Sequence, residues 1–485
     1  MLIVCILLPL LGGALLPLGR FPERSRLRGV LTEAVVCLTS VLIAVALIRG
    51  IPLEWTLWEV FPGAVIAFRC DGMSSVFLGL IAFLWPLASL YGFSYMEHEH
   101  RPNAFFAWYT ICYGITVCVA SAGNLFTMYL AFEALTLITL PLVWHKWNEE
   151  SVAAARKYAL YVLGAAALGF LALVSLTALG GGDFRPGGIL PAETWAAHGD
   201  LLRALYVLAF LGFGVKAAVL PFSSWLPTAS AAPTPVTALL HAVAVVNAGA
   251  FCVARVTWFS FGTEMLTGTW AQTAVLLTAC CTVVFCSAMA VRENHLKRRL
   301  AWSTASNLSY ILVGVALMTG EGLTGALSHL VIHGLMKIVL FFAAGAILVR
   351  SGKEYVSEVR GFARPMPFVC ACFAVCAVSL VGIPPLSGFV SKWILLEAAI
   401  HTGRADGIFA GACLIISSVL TAVYVLSVVT AFYFRPLSGE NLTWGAECHD
   451  PDLRMKLPMA LIAALVVILG FWSEPLVTFI RSLVP

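Results

Sequence analysis

The stretch VLAFLGFGVKAAVLPFSSWLPTA, from Val207 to Ala229, is apolar enough to cross a bilayer, yet it holds Lys216 between two glycines and a proline. A charge at the bilayer centre costs about 3 kcal/mol on insertion scales. Pro221 removes a backbone donor and clashes with the preceding turn, so the helix should unwind there. Carbonyls freed at membrane depth must line a cavity or be buried in protein. The stretch therefore predicts a broken membrane helix with a functional lysine at the break.

A second stretch of the same kind, VCAVSLVGIPPLSGFVSKWILLEAA, runs from Val375 to Ala399 and places Pro384 and Pro385 before Lys392. Its PLSGF segment looks like PFSSW in the first stretch. Interrupted helices at corresponding places in two halves of a chain are typical of inverted-repeat transporters with an ion site near the midplane. Glycine and proline are also frequent in ordinary membrane helices, which is the alternative explanation.

The composition excludes an ordinary soluble protein. The chain of 485 residues is 60% hydrophobic and 11% charged, whereas soluble domains carry about 25% charged residues. The first apolar run, Met1 to Gly19, has no cationic segment before it and no A-x-A cleavage site, which favours a spanning helix over a signal peptide. The 14 cysteines include no C-x-x-C pair. We expect them to act as small buried hydrophobes, with no metal site, disulfide framework or cofactor.

The apolar runs predict an all-α membrane protein of about fourteen transmembrane helices, with helices 7 and 12 discontinuous. They lie near 1–19, 29–49, 73–95, 104–121, 123–145, 156–179, 201–230, 235–258, 270–291, 300–319, 324–349, 367–400, 406–433 and 457–480. The mixed segment 51–72 predicts an interfacial loop or hairpin.

The predicted helices group into four units. Residues 1–103 hold helices 1–3, residues 104–258 the first five-helix repeat, residues 259–433 the second, inverted repeat, and residues 434–485 helix 14. With the N-terminus outside, 19 Lys and Arg residues fall in inside segments and 6 in outside segments. This asymmetry satisfies the positive-inside rule and predicts a multi-pass inner-membrane protein with both termini outside.

Several blocks resemble one known family. They are LAFEALTL around Glu133, the segment from Val215 to Gly249 with its APTPVTALLHA core, LKRRLAWSTASNLSYILVG from Leu296, HLVIHGLMKIVLFFAAGAIL from His329, and GIPPLSGFVSKWILLEA from Gly382. Through them the chain resembles the antiporter-like transmembrane subunits shared by respiratory complex I (NADH-quinone oxidoreductase), multisubunit Na+/H+ antiporters of the Mrp type and membrane-bound hydrogenases. The resemblance covers nearly the whole chain.

Glu133 and Lys216 form the first candidate site. An ionised carboxylate among apolar residues needs a partner, and Lys216 is the natural one. The family pattern implies the same pairing. A change in their separation would alter the proton affinity of the lysine. The alternative is a static structural ion pair.

A second candidate site is the line His329, His333 and Lys337, spaced at i, i+4 and i+8 on one helix face. Protonatable groups along one stripe suit a proton relay, and histidine titrates near neutrality unaided. The alternative for each histidine is a satisfied hydrogen bond in the core. A metal site is not expected, because the pattern offers no third ligand.

Two further positions, each with an accessory residue, complete the predicted path. The resemblance implies that Lys392 is the terminal protonatable residue. The alternative is a lysine near a helix end whose charge reaches the membrane surface. Glu397, five residues on, is an accessory candidate that would stabilise the exit. In helix 8, where relatives carry a lysine, this chain offers His241 and, as an accessory, Asn247. The charges of segment 296–302 are predicted to be topology signals in a cytoplasmic loop, and Asp71, Glu97 and Glu99 to be solvated loop acids.

Three transport functions fit this sequence. The first is a proton-translocating membrane subunit of a redox-driven complex, with the redox chemistry in partner subunits because the chain shows no flavin, haem, quinone or iron–sulfur motif. The second is a subunit of a multisubunit Na+/H+ antiporter, and the third a membrane subunit of an inorganic-carbon uptake complex. A structural scaffold with a vestigial channel is disfavoured by the intact set of buried charges. Expected partners are other membrane subunits, the lipid bilayer, and protons or sodium ions, but no nucleic acid.

Overall fold

The computed structural model describes residues 1–23, 25–61, 64–434 and 448–484. Its helices are α1 (Leu2–Leu15), α2 (Arg26–Ile48), α3 (Gly72–Tyr95), α4 (Pro102–Ala120), α5 (Leu125–Val143), α6 (Glu149–Ala178), α7 (Ala192–Gly214), α8 (Trp225–Ala229), α9 (Thr234–Ala242), α10 (Val246–Arg255), α11 (Trp270–Arg292), α12 (Leu296–Ala316), α13 (Gly320–Ser351), α14 (Pro367–Val381), α15 (Ser387–His401), α16 (Ala405–Phe434), α17 (Leu453–Phe471) and α18 (Glu474–Leu483). A π-helical turn, Val256–Phe261, extends α10. The strands β1 (Glu54–Phe61) and β2 (Ala64–Arg69) pair antiparallel, which confirms the predicted hairpin.

Over the described residues, fourteen membrane crossings result when α7–α8, α9–α10 and α14–α15 are each taken as one broken helix. In the described part of the chain, twelve spans are long and apolar enough to cross a membrane. The other two crossings are α12, which carries many polar residues, and α14–α15, which is two pieces of 15 residues each. The predicted all-α membrane fold is confirmed, and the division into two inverted repeats stays a prediction.

Two helix boundaries differ from the sequence prediction, and the predicted interruption of the seventh helix is confirmed. The eighth crossing, predicted as continuous over 235–258, breaks at 243–245 between α9 and α10. The seventh leaves α-helical geometry from 215 to 224. The fourteenth ends at Phe471, and the separate helix α18 follows with one apolar and one polar face. The break in the eighth crossing lies within the apolar run AVAVV, so hydropathy does not show it.

Helix α13 is the centre of the molecule. It spans 32 residues, is buried over nearly its whole length, and packs against α3, α9, α12, α14, α15 and α17. Thr319 caps its first turn by accepting a hydrogen bond from the Gly322 amide, at 3.1 Å. At Gly345 an added Cβ would lie 2.5 Å from Thr234 Cγ2, so glycine is needed for α9 to approach this closely. The stripe of protonatable residues on α13, which consists of His329, His333 and Lys337, is thereby held in the core.

Candidate ion path

The break between α7 and α8 buries Lys216 completely. The carbonyl groups freed there are bound locally: the Val219 amide donates to Gly214 at 3.2 Å, and the Trp225 indole donates to the Val215 carbonyl at 2.9 Å. Helix α10 crosses directly over the break, where a Cβ on Gly249 would lie 2.6 Å from Lys216 Cβ. The first lysine is therefore enclosed by backbone on several sides.

Lys216 and Glu133 do not form the ion pair that the sequence predicted. Lys216 Nζ instead donates to the Phe132 carbonyl oxygen and lies 3.6 Å from the centre of the Phe132 ring. Among the described residues, Glu133 Oε1 has no hydrogen-bond partner although the atom is buried. The Phe132 ring and carbonyl occupy the space around the ammonium group. The two groups still influence each other electrostatically.

His241, at the end of α9, is fully buried and stacks on Phe341 with ring centres 4.6 Å apart. Within the described residues neither of its ring nitrogens has a partner. Beyond the break, Asn247 Nδ2 donates to the Ala242 carbonyl at 2.6 Å and to the Leu330 carbonyl at 3.3 Å. Asn247 thus ties the broken helix to α13.

The three predicted residues of α13 are all fully buried. His329 and His333 stack with ring centres 5.9 Å apart, and His329 Nδ1 lies 2.9 Å from Ser391 Oγ on α15. Lys337 Nζ donates to Ser303 Oγ at 2.6 Å and to the Leu300 carbonyl at 3.1 Å. Both ring nitrogens of His333 lack a partner in the described part of the chain.

The break between α14 and α15 holds Lys392, which is 8% exposed. Here the lysine itself binds the freed carbonyls: Nζ donates to Leu380 at 2.8 Å and to Val381 at 3.3 Å. A longer contact of 3.4 Å joins Nζ to Ser418 Oγ, and Nζ lies 4.8 Å from the centre of the Tyr310 ring.

Five of the predicted path residues therefore lie close together around α13. His333 interacts electrostatically with Lys337, His329, His241 and Lys392. The Glu133–Lys216 group lies at a separate break beside α10. Glu397 is apart from both: it is on the exposed end of α15, 4.0 Å from His401 Nδ1, and lines a polar cavity of about 680 Å³ with Glu321 and Arg481.

Two side chains of α12, Ser303 and Tyr310, connect these residues, and sequence reasoning missed Tyr310. Tyr310 stacks on His329 with ring centres 5.4 Å apart and also lies over the Lys392 ammonium. Ser303 links Lys337 to the Tyr424 hydroxyl, at 2.6 Å. Both Ser303 and Tyr310 belong to the block that starts at Leu296, and their i, i+7 spacing on α12 was an available signal.

The charges of segment 296–302 are not merely topology signals in a loop. Lys297 and Arg299 lie in the first turn of α12 and are 4% and 8% exposed. Lys297 Nζ donates to the Ala232 carbonyl at 3.4 Å, directly before α9. Arg299 donates to the Tyr424 carbonyl at 3.0 Å. Both side chains lie buried at the end of the helix bundle. Long cationic side chains can be buried in this way because their apolar stems pack against apolar neighbours.

One acidic residue near this end has a strongly shifted proton affinity. Glu354, in the loop after α13, lies 3.5 Å from His295 Nε2. The pKa of the Glu354 carboxyl is lowered to about 2, chiefly by the hydrogen bond with His295 and by the positive charges of Lys297 and Lys146. Glu354 is therefore ionised at any physiological pH.

Asp71 is not a solvated loop acid. It accepts the Ser74 amide at 3.0 Å, which caps α3, and it binds both terminal nitrogens of Arg255. Arg255 is 1% exposed and belongs to the last turn of α10. The pair fixes α3 to α10. The carboxylates of Glu97 and Glu99 form partly exposed ion pairs, with Arg454 at 2.7 Å and Lys146 at 3.6 Å.

The described residues contain no group of three or more His, Cys, Asp or Glu side chains arranged to hold a metal ion.

Comparisons with known proteins converge on one class. A family model described as "NADH:quinone oxidoreductase/Mrp antiporter, TM" matches residues 122–421. The chain is 29% identical over 469 residues to NADH-quinone oxidoreductase subunit N of Desulforudis audaxviator, covering 93% of this chain and 91% of that one. It is 29% identical over 443 residues to hydrogenase-4 component B of Escherichia coli, covering 86% of this chain and 64% of that one.

The fold has a solved counterpart in the structure of the Mrp complex from a Dietzia species. The TM-score is 0.86 at 23% identity, with 100% of this chain and 96% of that chain covered. The resemblance drawn from the sequence blocks is confirmed.

Proposed function

We propose that this chain, which belongs to the NADH:quinone oxidoreductase/Mrp antiporter transmembrane family, moves protons across a membrane as an antiporter-like subunit of a redox-driven multisubunit complex. The path runs from Glu133 and Lys216 through His241 to the α13 stripe and leaves by way of Lys392. The redox chemistry belongs to partner subunits.

One observation carries this proposal. Among the described residues, five ring nitrogens of His241, His329 and His333 are buried without a hydrogen-bond partner, all in one region of the core. Buried polar groups are nearly always satisfied, and those that lack a protein partner are satisfied by internal water. A row of water-bridged imidazoles is able to accept a proton on one nitrogen and release one from the other.

The lysines supply the charges that move this proton. Lys337 interacts with His333 and donates to an uncharged hydroxyl and a carbonyl. When Lys337 carries a charge, it opposes protonation of His333, and when it is neutral the opposition is lost. At the first break, motion of the Glu133 carboxylate toward Lys216 controls the charge of the lysine in the same way. The Glu133 Oε1 atom has no described hydrogen-bond partner that holds it in place.

A sodium/proton exchange function is the second candidate. The family description names Mrp antiporters as well as quinone oxidoreductases, so family membership alone favours neither. Protons are preferred because the groups around α13 are histidines and lysines, whereas a dehydrated sodium ion requires several oxygen ligands.

The relatives named above are subunits of respiratory, hydrogenase and antiporter systems, and we extend this to the present chain as an expectation of lateral membrane partners. The charge asymmetry of the loops favours an N-terminus on the outside. A single cysteine at Tyr355, which is 45% exposed in the loop after α13, should react only from the cytoplasmic side in a cysteine-depleted background. Reaction from the outside would reverse the orientation.

His333→Ala tests the proton path directly. Since no described residue bonds to either ring nitrogen, the substitution breaks no hydrogen bond within the protein. We expect proton uptake by vesicles holding the assembled complex to fall at least about tenfold, as for loss of a proton-transfer group. The control is His401→Ala on the exposed end of α15, which should pump normally. Normal pumping by assembled His333→Ala would remove the α13 stripe from the path.

A further inference from the structure

The second break opens sideways, out of the helix bundle. A cleft of about 450 Å³ lies between the α14–α15 break and α16, and most of its lining is apolar. Lys392 lies at its base, and Trp393 and Val419, which are 53% and 60% exposed, stand at its mouth. Trp393 and Phe389 stack with ring centres 5.7 Å apart and form one wall. In a membrane-spanning bundle, such a mouth faces the acyl chains of the lipid.

The residues that line the cleft include one positively charged side chain, Lys392, and no negatively charged side chain. The hydrogen-bond partners of Lys392 Nζ in the described part of the chain are two carbonyls and one hydroxyl, and no carboxylate lies within ion-pair distance there. An ammonium group in a low-dielectric wall is strongly stabilised by an anion. Apolar walls with a single charged group at the base are typical of sites for amphipathic ligands.

The depth of Lys392 restricts the chemistry of that anion. Lys392 precedes the end of α15 at His401 by about 14 Å, and its partner Leu380 follows the start of α14 by about 20 Å, at 1.5 Å per helical residue. The group therefore lies well inside a hydrocarbon core of about 30 Å. A phospholipid phosphate stays charged and remains at the interface. A carboxylic acid is able to enter the hydrocarbon as the neutral acid and ionise on meeting the lysine.

We infer that this cleft binds a long-chain fatty acid, with its carboxylate on Lys392 and its acyl chain along Phe389, Trp393 and Val419. The cleft volume lies within the range of about 300–1,000 Å³ found for small-molecule sites. The carboxylate would hold Lys392 in its charged form. The binding itself does not depend on the proposed transport activity, so it is measured separately.

The experiment uses membranes that contain the assembled complex and a palmitic acid analogue with a photoreactive diazirine near its chain end. After illumination, labelled peptides are mapped by mass spectrometry. We expect label on α15 and α16 at the cleft. Free palmitate should compete, while methyl palmitate and phosphatidylglycerol should not, because neither presents a carboxylate to Lys392.

Two variants and one matched control locate the site. Lys392→Gln keeps a hydrogen-bond donor but removes the charge, and labelling should fall about tenfold or more. Ala422→Phe adds a ring to the cleft lining without removing a path residue, and labelling should fall similarly while proton uptake persists. Val423→Phe, at an exposed position outside the lining, should label like the unaltered chain.

Three outcomes overturn the inference. Equal competition by methyl palmitate shows that the cleft takes any acyl chain and ignores the carboxylate. Labelling by a photoreactive phosphatidylglycerol that palmitate does not displace assigns the cleft to phospholipid. Absence of cleft labelling in the assembled complex, with labelling of the isolated subunit, assigns it to a partner helix. Loss of proton uptake in His333→Ala with intact labelling would leave the inference standing.

Discussion

The two broken helices present a lysine in opposite ways. At the first break the protein satisfies its own freed carbonyls, through the Val219 amide and the Trp225 indole, and Lys216 is left against Phe132. At the second break the lysine is itself the donor to the carbonyls of Leu380 and Val381. Lys216 is fully enclosed, whereas Lys392 borders a cleft that opens sideways.

The two lysines therefore differ in how much they contribute to folding and in how freely they respond to a nearby charge. A lysine that satisfies backbone groups contributes to folding, because each buried carbonyl left unpaired costs about 1–3 kcal/mol. A lysine contributes less to folding when its main contacts are an aromatic face and a carbonyl that already belongs to a helix. Lys216 is therefore freer to respond to Glu133, and Lys392 is bound more firmly to the local backbone.

The largest effect is expected from Gly388→Ala. A Cβ at this position would lie 1.8 Å from the Ser379 carbonyl oxygen, so the second break cannot close around any larger residue. We expect little or no assembled protein, measured by blue-native electrophoresis of membranes. The matched control is Gly164→Ala on the exposed side of α6, where an added Cβ meets nothing within 4 Å. Its assembly should be normal or better, since alanine is about 1 kcal/mol better than glycine in helices.

The paired substitutions Lys216→Ala and Lys392→Ala test the comparison itself. Both should lose most proton uptake. Only Lys392→Ala should also lower the thermal stability of the complex, because it strips the donor from two carbonyls, a loss of about 1–3 kcal/mol for each. Lys392→Glu should retain more transport than Lys392→Ala, because a carboxyl carries a proton. Equal thermal midpoints for the two alanine variants would show that the breaks are not different in kind.

Glu133→Gln should reduce transport without changing stability. Its Oε1 atom has no described partner to lose, and glutamine keeps the size of the side chain. What disappears is the negative charge that acts on Lys216. Proton uptake of reconstituted vesicles and the melting curve of the complex give the two measurements. A clear drop in melting temperature would mean that a stabilising contact of Glu133 is formed in the assembled protein.

The smallest effect is expected from Ser418→Ala. The 3.4 Å contact between Ser418 Oγ and Lys392 Nζ is long for a hydrogen bond, and the lysine keeps its two carbonyl acceptors. Stability should fall by about 0.5 kcal/mol or less. A loss as large as that of Lys392→Ala would make the hydroxyl, rather than the carbonyls, the main partner at the second break.

The sequence predicted the helices and the buried charges well, since both depend on runs of apolar residues interrupted by lysine or proline. Pro221 and Pro384 marked two breaks correctly. The break at 243–245 escaped because the segment AVAVV that contains it has neither proline nor glycine. What opens it is tertiary contact, including the bond from Asn247 to α13.

The geometry of the candidate site was less predictable. Charge complementarity suggested that Glu133 and Lys216 touch, but Lys216 contacts the ring and carbonyl of Phe132 instead, and those contacts depend on how the helices pack. Asp71 seemed solvated because its neighbours in sequence are polar or small. Its partner Arg255 lies 184 residues away, and no local pattern reveals such a pairing.

The Arg255–Asp71 pair anchors one arm of the broken eighth crossing. Arg255 anchors the far end of α10 to the cap of α3 by two hydrogen-bonded ion contacts, and Ser74 adds a third at 2.5 Å. The other arm, α9, is positioned by α13 itself, through the stacking of His241 on Phe341 and the close approach of Thr234 to Gly345. The cap of α3 thus sets where α10 lies over Lys216, whereas α13 sets where His241 lies.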